Sequence, residues 1–189
     1  MSKYIFSFGD KKTKKISNSK NILGGKGANL AEMARLGLPV PPGFTISTDI
    51  CIHYMNEGKY PKELETNVQI SLGKVETIME QKFGNPNKPL LVSVRSGARQ
   101  SMPGMMETVL NIGLTSKTIP GLIKNSEDER FVYDAYRRLI TMYADVVMEK
   151  AAGIEVNECN GIREKLDTIM EEIKSQQGIK NDSDLSTEN

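Results

Sequence analysis

The mostly apolar stretch 3–8, Lys-Tyr-Ile-Phe-Ser-Phe, within the start from Met1 to Gly9, reads as a strand. Leu30, Met33, Ala34 and Gly37 instead fall at helical spacing, and Gly37 suits a left-handed helix end. Pro39, Pro41 and Pro42 forbid further helix. Phe44 to Ser47 predicts a short strand, and Thr48 is the expected N-cap of a helix through about Met55. Pro61 suits the first turn of a longer helix over 61–82, with Leu64, Val68, Leu72, Val75 and Met79 along one face. The run 90–94 reads as a buried strand and 108–112 as a second one.

The period then changes to that of helices. Val132, Tyr136, Leu139, Ile140, Tyr143, Val146 and Val147 line one side of a predicted helix over 129–150. Ile162, Leu166, Ile169, Met170 and Ile173 predict another. The polar stretch 178–189 is expected to fray or to await a missing partner. Strands interleaved with helices point to an α/β or α+β body over 1–112, followed by a helical subdomain over 113–189.

With 189 residues, 38% of them hydrophobic, the chain can bury one sizeable core, with room for two lobes. Its 25 basic and 24 acidic residues nearly cancel, so whole-chain charge argues for neither a nucleic acid nor an anionic membrane partner. No apolar run approaches the roughly 20 residues of a membrane span. Cys51 and Cys159 are far apart and lack metal-ligand spacing, which fits a reducing cytoplasm; both are expected as small buried hydrophobes. His53, the only histidine, reads as a surface or half-buried helix residue. The basic stretch 10–15 reads as a solvated loop.

Two segments carry candidate chemistry. In Gly24-Gly25-Lys26-Gly27, glycines allow backbone amides close to a ligand, and a following helix start favours phosphate. Lys26 adds a mobile charge. The spacing is not that of a P-loop, and a plain glycine turn entering a helix is the competing reading. In the second segment, Arg95 leaves the apolar strand 90–94 and Arg99 follows four residues later. A guanidinium grips phosphate with two parallel hydrogen bonds, whereas a structural salt bridge is the alternative for each. Pro103-Gly104 marks a turn, and Met102, Met105 and Met106 either cover a ligand or fill a core.

Together these residues carry a resemblance. The segments from Gly24 to Met33, Pro39 to Thr45, Ser93 to Arg99, and Ser101 to Met106 resemble the N-terminal nucleotide-binding domain of the pyruvate, phosphate dikinases. Tyr133 to Arg138 and Met142 to Met148 extend the match, which spans nearly all of 1–150. Phosphoenolpyruvate synthases share a looser version of the lysine and arginine motifs.

The resemblance implies part of an ATP-grasp domain within a longer cytoplasmic enzyme, expected to be a homo-oligomer. That family converts ATP, phosphate and pyruvate to AMP, pyrophosphate and phosphoenolpyruvate, using magnesium and a monovalent cation. A histidine on a separate swivelling domain carries the phosphoryl group to a pyruvate-binding barrel. By the match, Lys26 and Arg95 bind ATP phosphates, and Gly104, Met105 and Met106 form a loop over the terminal phosphate. The catalytic histidine and the metal ligands are expected outside this chain, which alone should be inactive. The competing expectations are a stand-alone phosphate-binding or interaction module and the synthase relative.

Overall fold

The computed structural model describes residues 4–9, 16–97, 108–150 and 161–187. They form a mixed α/β protein, rich in helix with small two-stranded sheets, as the periodicities imply. By contact the described residues gather into two units. One holds those up to Lys82 together with Ser96 and Gly97; the other holds Phe83–Arg95 and those from Thr108 onward.

In the first unit, β1 (Ile5–Phe8) pairs antiparallel with β2 (Gly43–Ile46), Ile5 facing Ile46 and Phe8 facing Gly43. That close pairing needs a glycine, because a Cβ at 43 would stand 2.6 Å from the Phe8 ring. Helices α1 (Ser19–Arg35) and α3 (Leu64–Met79) pack against the ribbon and α2 (Thr48–Glu57) against α1, burying Leu23, Ala28, Ile50, Leu64 and Val75. Gly37 ends α1's last turn at φ 81°, as its position predicts.

Several local expectations shift. Ser47, at φ −66° and ψ 154°, holds the N-cap position of α2, and Thr48 is the first helical residue. The Thr48 hydroxyl donates instead to the Asn21 carbonyl at 2.6 Å, tying α2 to the start of α1. Pro61 lies in the turn before α3, whose carbonyl the Leu64 amide reaches at 3.0 Å. Of the predicted α3 face, Leu64 and Val75 are buried, Val68 and Leu72 half-buried, and Met79 exposed. Cys51 is exposed rather than buried, because α2 turns its neighbour Ile50 inward; Cys159 lies outside the described residues.

A short pair, β3 (Lys82–Phe83) and β4 (Pro89–Leu90), leads into β5 (Val92–Arg95), which pairs antiparallel with β6 (Thr108–Ile112). The predicted buried strand over 90–94 is therefore broken at Leu91. A register irregularity between Val92 and Val94 then turns the strand outward, so Leu90 is 2% exposed but Val94 is 54%.

Helices α4 (Ile119–Ser126) and α5 (Glu129–Tyr143) cover this pair. Val109, Leu114, Ile119, Val132 and Leu139 form its core, flanked by Ile112, Tyr136, Val146 and Val147. The Asp128 side chain caps α5 by accepting from the Phe131 amide at 2.8 Å. Thr118, fully buried, accepts from the Thr115 amide at 2.8 Å and sets the turn before α4.

The helix predicted over 129–150 does not continue as one α-helix. Ala144–Lys150 winds as a π-helix, and Ile140 and Tyr143, assigned to the buried face, are exposed. The wider winding has a structural use: it buries Ala144 and turns Glu149 toward α6 (Ile162–Gln177). The Glu149 carboxylate accepts from the Ile162 and Arg163 amides, so a side chain from the preceding helix caps α6. Arg163 answers with an ion pair to Asp145 at 2.9 Å. On α6 itself Ile162, Leu166, Met170 and Ile173 are half-buried, whereas Ile169 is exposed.

Candidate functional site

Helix α1 contains the glycine run, and the run does not simply precede a helix as the turn reading held. Helical residues stand on both sides, and Gly24 breaks the helix at φ 70° and ψ 172°, a conformation that in practice only glycine tolerates. A helix that restarts after such a break offers the amides of its first turn and the positive end of its dipole around Gly25, Lys26 and Gly27.

The small residues have a second role. Leu23, Gly24, Gly27 and Ala28 are the buried positions of α1. A Cβ at Gly27 would stand 2.8 Å from Cγ2 and 3.0 Å from Oγ1 of Thr45, so β2 approaches the helix backbone directly. Gly27 is thus needed for packing. Farther along the chain Gly97 passes the break, its Cβ direction 3.9 Å from the Leu23 carbonyl.

Lys26 is half-buried in this glycine-rich surface and makes no ion pair with any described residue. Arg95 ends β5 opposite Thr108, exposed and likewise without an ion pair among the described residues. The outward turn after Leu91 brings Arg95 to the surface at the end of its strand. Arg99, Met102, Gly104, Met105 and Met106 lie outside the described residues. His53 is half-buried on α2.

Charges elsewhere are handled differently. Lys174, only 8% exposed, reaches Glu171 at 2.6 Å and Asp182 at 3.1 Å. Hydrogen bonding to Glu171 and then Asp182 raises its pKa against the opposing effect of burial. The hydrogen bond from Lys174 holds Asp182 below the usual carboxylate range, again against burial, with Arg137 assisting. Glu32 raises the pKa of the exposed Arg35 through a hydrogen-bonded pair three residues apart.

Sequence reasoning missed Glu149, Lys174 and Asp182. Apart from Glu171, three residues before Lys174 on the same helix, their partners come from other elements or from across a turn. Among the described residues no group of three His, Cys, Asp or Glu side chains is placed to hold a metal ion. No helix among them is long and apolar enough to cross a membrane.

Comparison with known proteins supplies the context. Residues 20–82, which include the break, Lys26 and the packing glycines, match the family model described as pyruvate phosphate dikinase, AMP/ATP-binding domain. The chain is 44% identical over 187 residues to pyruvate, phosphate dikinase of Rhizobium meliloti (strain 1021), covering 98% of this chain and 20% of that protein. It is 41% identical over 189 residues to the Clostridium symbiosum protein of the same name, covering 100% of this chain and 20% of the relative. Against the chloroplastic pyruvate, phosphate dikinase 1 of Arabidopsis thaliana the identity is 46% over 185 residues, 97% of this chain and 18% of the other. The chain therefore spans about a fifth of the length of these relatives. By sequence the chain is similar to the N-terminal fifth of the pyruvate, phosphate dikinases, with residues 20–82 matching their AMP/ATP-binding domain, and its mixed α/β fold agrees with that likeness.

Proposed function

We propose that the chain is the N-terminal ATP-binding portion of a pyruvate, phosphate dikinase. In that reading the complete protein converts ATP, phosphate and pyruvate to AMP, pyrophosphate and phosphoenolpyruvate. A histidine on a further domain carries the phosphoryl group, and a pyruvate-binding barrel receives it. Both belong to the part of the protein beyond this chain, so the chain alone turns nothing over. The reading includes a homo-oligomer in a reducing cytoplasm.

The observation that carries this proposal is Lys26: a half-buried ammonium among glycines, with no described side chain to neutralise it. An anionic ligand supplies the missing charge. Lys26 binds ATP phosphates in this reading, joined by Arg95, whose planar guanidinium holds two phosphate oxygens at once. Gly104, Met105 and Met106 form the loop over the terminal phosphate. Phosphoryl transfer depends mainly on positioning and charge neutralisation, and these are the tasks assigned to the five residues. Magnesium and a monovalent cation accompany the reaction. The described side chains do not fit a metal centre, and no step assigned here runs through one.

The test is a product balance on the full-length protein with ATP and pyruvate, with and without inorganic phosphate. A dikinase forms pyrophosphate and requires phosphate. Turnover independent of phosphate would overturn the reading in favour of a synthase that uses water as acceptor. Absence of nucleotide binding would leave an interaction module.

A further inference from the structure

After α6, Gly178 adopts φ 69° and turns the chain, and the residues up to Thr187 lie against α5 and α6. A single aspartate fastens this segment. Its Oδ1 takes Lys174 Nζ at 3.1 Å, its Oδ2 takes Arg137 Nη2 at 3.2 Å, and its backbone carbonyl accepts from Arg130 Nη2 at 3.1 Å. Three cations from two helices thus meet on Asp182.

The surrounding charges make Asp182 hard to replace. Arg137 also holds Asp134 at 2.9 Å and donates to the Met170 sulfur at 3.2 Å. Asp134 is shared with Arg138 at 2.8 Å. Lys174 is nearly buried, while its other partner, Glu171, is largely exposed. A buried ammonium needs a fixed counter-charge, and Asp182 brings one only while the segment stays in place. Beneath lies a cavity of about 270 Å³ walled by Tyr136, Ile140, Leu166, Met170, Ile173 and Leu185.

We infer that Asp182 is a clasp, holding residues 178–187 as a strap along the cavity between α5 and α6. One carboxylate then decides the direction in which the chain leaves α6. When the clasp is lost, the strap opens and the cavity wall, Met170 included, becomes more accessible.

The experiment is amide hydrogen exchange on the full-length protein carrying Asp182→Asn. Exchange over 179–187 should accelerate by about tenfold or more, while α5 and the first three turns of α6 keep their protection. Met170 should also form sulfoxide faster under brief dilute peroxide. Unchanged exchange in the strap would overturn the clasp. So would loss of protection throughout α5 and α6, which would make Asp182 part of the bundle's general stability. Lys174→Met keeps the apolar stem but removes the ammonium, and it should loosen the same residues. The double variant should be no looser than Asp182→Asn alone; additive loosening would show that the two residues act separately and would overturn the shared clasp.

Discussion

Helix α1 and the α5–α6 bundle treat buried charge in opposite ways. In the bundle, Lys174 is matched by Glu171 and Asp182, Asp134 by Arg137 and Arg138, and Asp145 by Arg163. The buried carboxylate of Glu149 is satisfied by the amides that open α6. In α1 the buried positions are Leu23, Gly24, Gly27 and Ala28, and half-buried Lys26 has no ion-pair partner among the described residues. A charge neutralised within the fold serves the fold. A cation kept partly out of water and left without an internal partner is free to meet an anion from outside.

The strongest challenge to that contrast is Lys26→Met in the full-length protein. Phosphoryl transfer from the nucleotide should fall by about a hundredfold or more, equivalent to ~2.7 kcal/mol of transition-state stabilisation. Thermal melting should move little. A sharp fall in melting, with normal activity in the protein that remains folded, would place Lys26 among the charges that serve the fold.

Glu149→Ala addresses the other side. It strips the α6 amides of their acceptor and should cost about 1–3 kcal/mol in denaturant unfolding. Glu149→Gln keeps an acceptor and should recover most of that loss. If both variants match the parent, capping from the π-helix is not what holds α6.

A smaller effect is expected from Arg95→Lys, which keeps the charge but removes the two-pronged donor. Nucleotide-side catalysis should fall about tenfold, or roughly 1.4 kcal/mol. Unchanged rates would mean that Arg95 contributes charge alone.

The mildest perturbation is acid. Asp182 is held below the usual carboxylate range, so its contribution is complete above the unfolded-state pKa and is lost as pH falls through the lowered folded value. Loosening of 179–187 should therefore set in as pH falls into the ordinary aspartate range and be complete below the lowered folded value. Hydrogen exchange corrected for its intrinsic pH dependence would show the step, and Asp182→Asn should remove it.

Much of the architecture was legible because helix and strand periods are local. Residues 5–8 form the strand read within 3–8, and Gly37 ends its helix where the spacing puts it. The glycine run with its lysine was legible as a phosphate candidate, but the break at Gly24 within a continuing helix was not. Nor was the interruption of the apolar stretch 90–94, since apolar character alone does not say which face a two-stranded pair leaves uncovered. Ile140 and Tyr143 obey the period of the α5 face and are nevertheless exposed.

By itself the sequence determined the mixed α/β class, the change of period after residue 112 and the motifs that tie the chain to the dikinases, because these are carried by near-neighbour spacing and residue type. Tertiary structure decided which charges gain a partner from outside their own helix. Lys174 and Lys26 are equally basic on paper, but Asp182 folds back to meet one, while glycines and the approach of Thr45 surround the other's helix without bringing it a counter-charge. Pairs three or four residues apart on one helix follow from local spacing, but a partner such as Asp182 depends on a distance across a turn that no local pattern encodes.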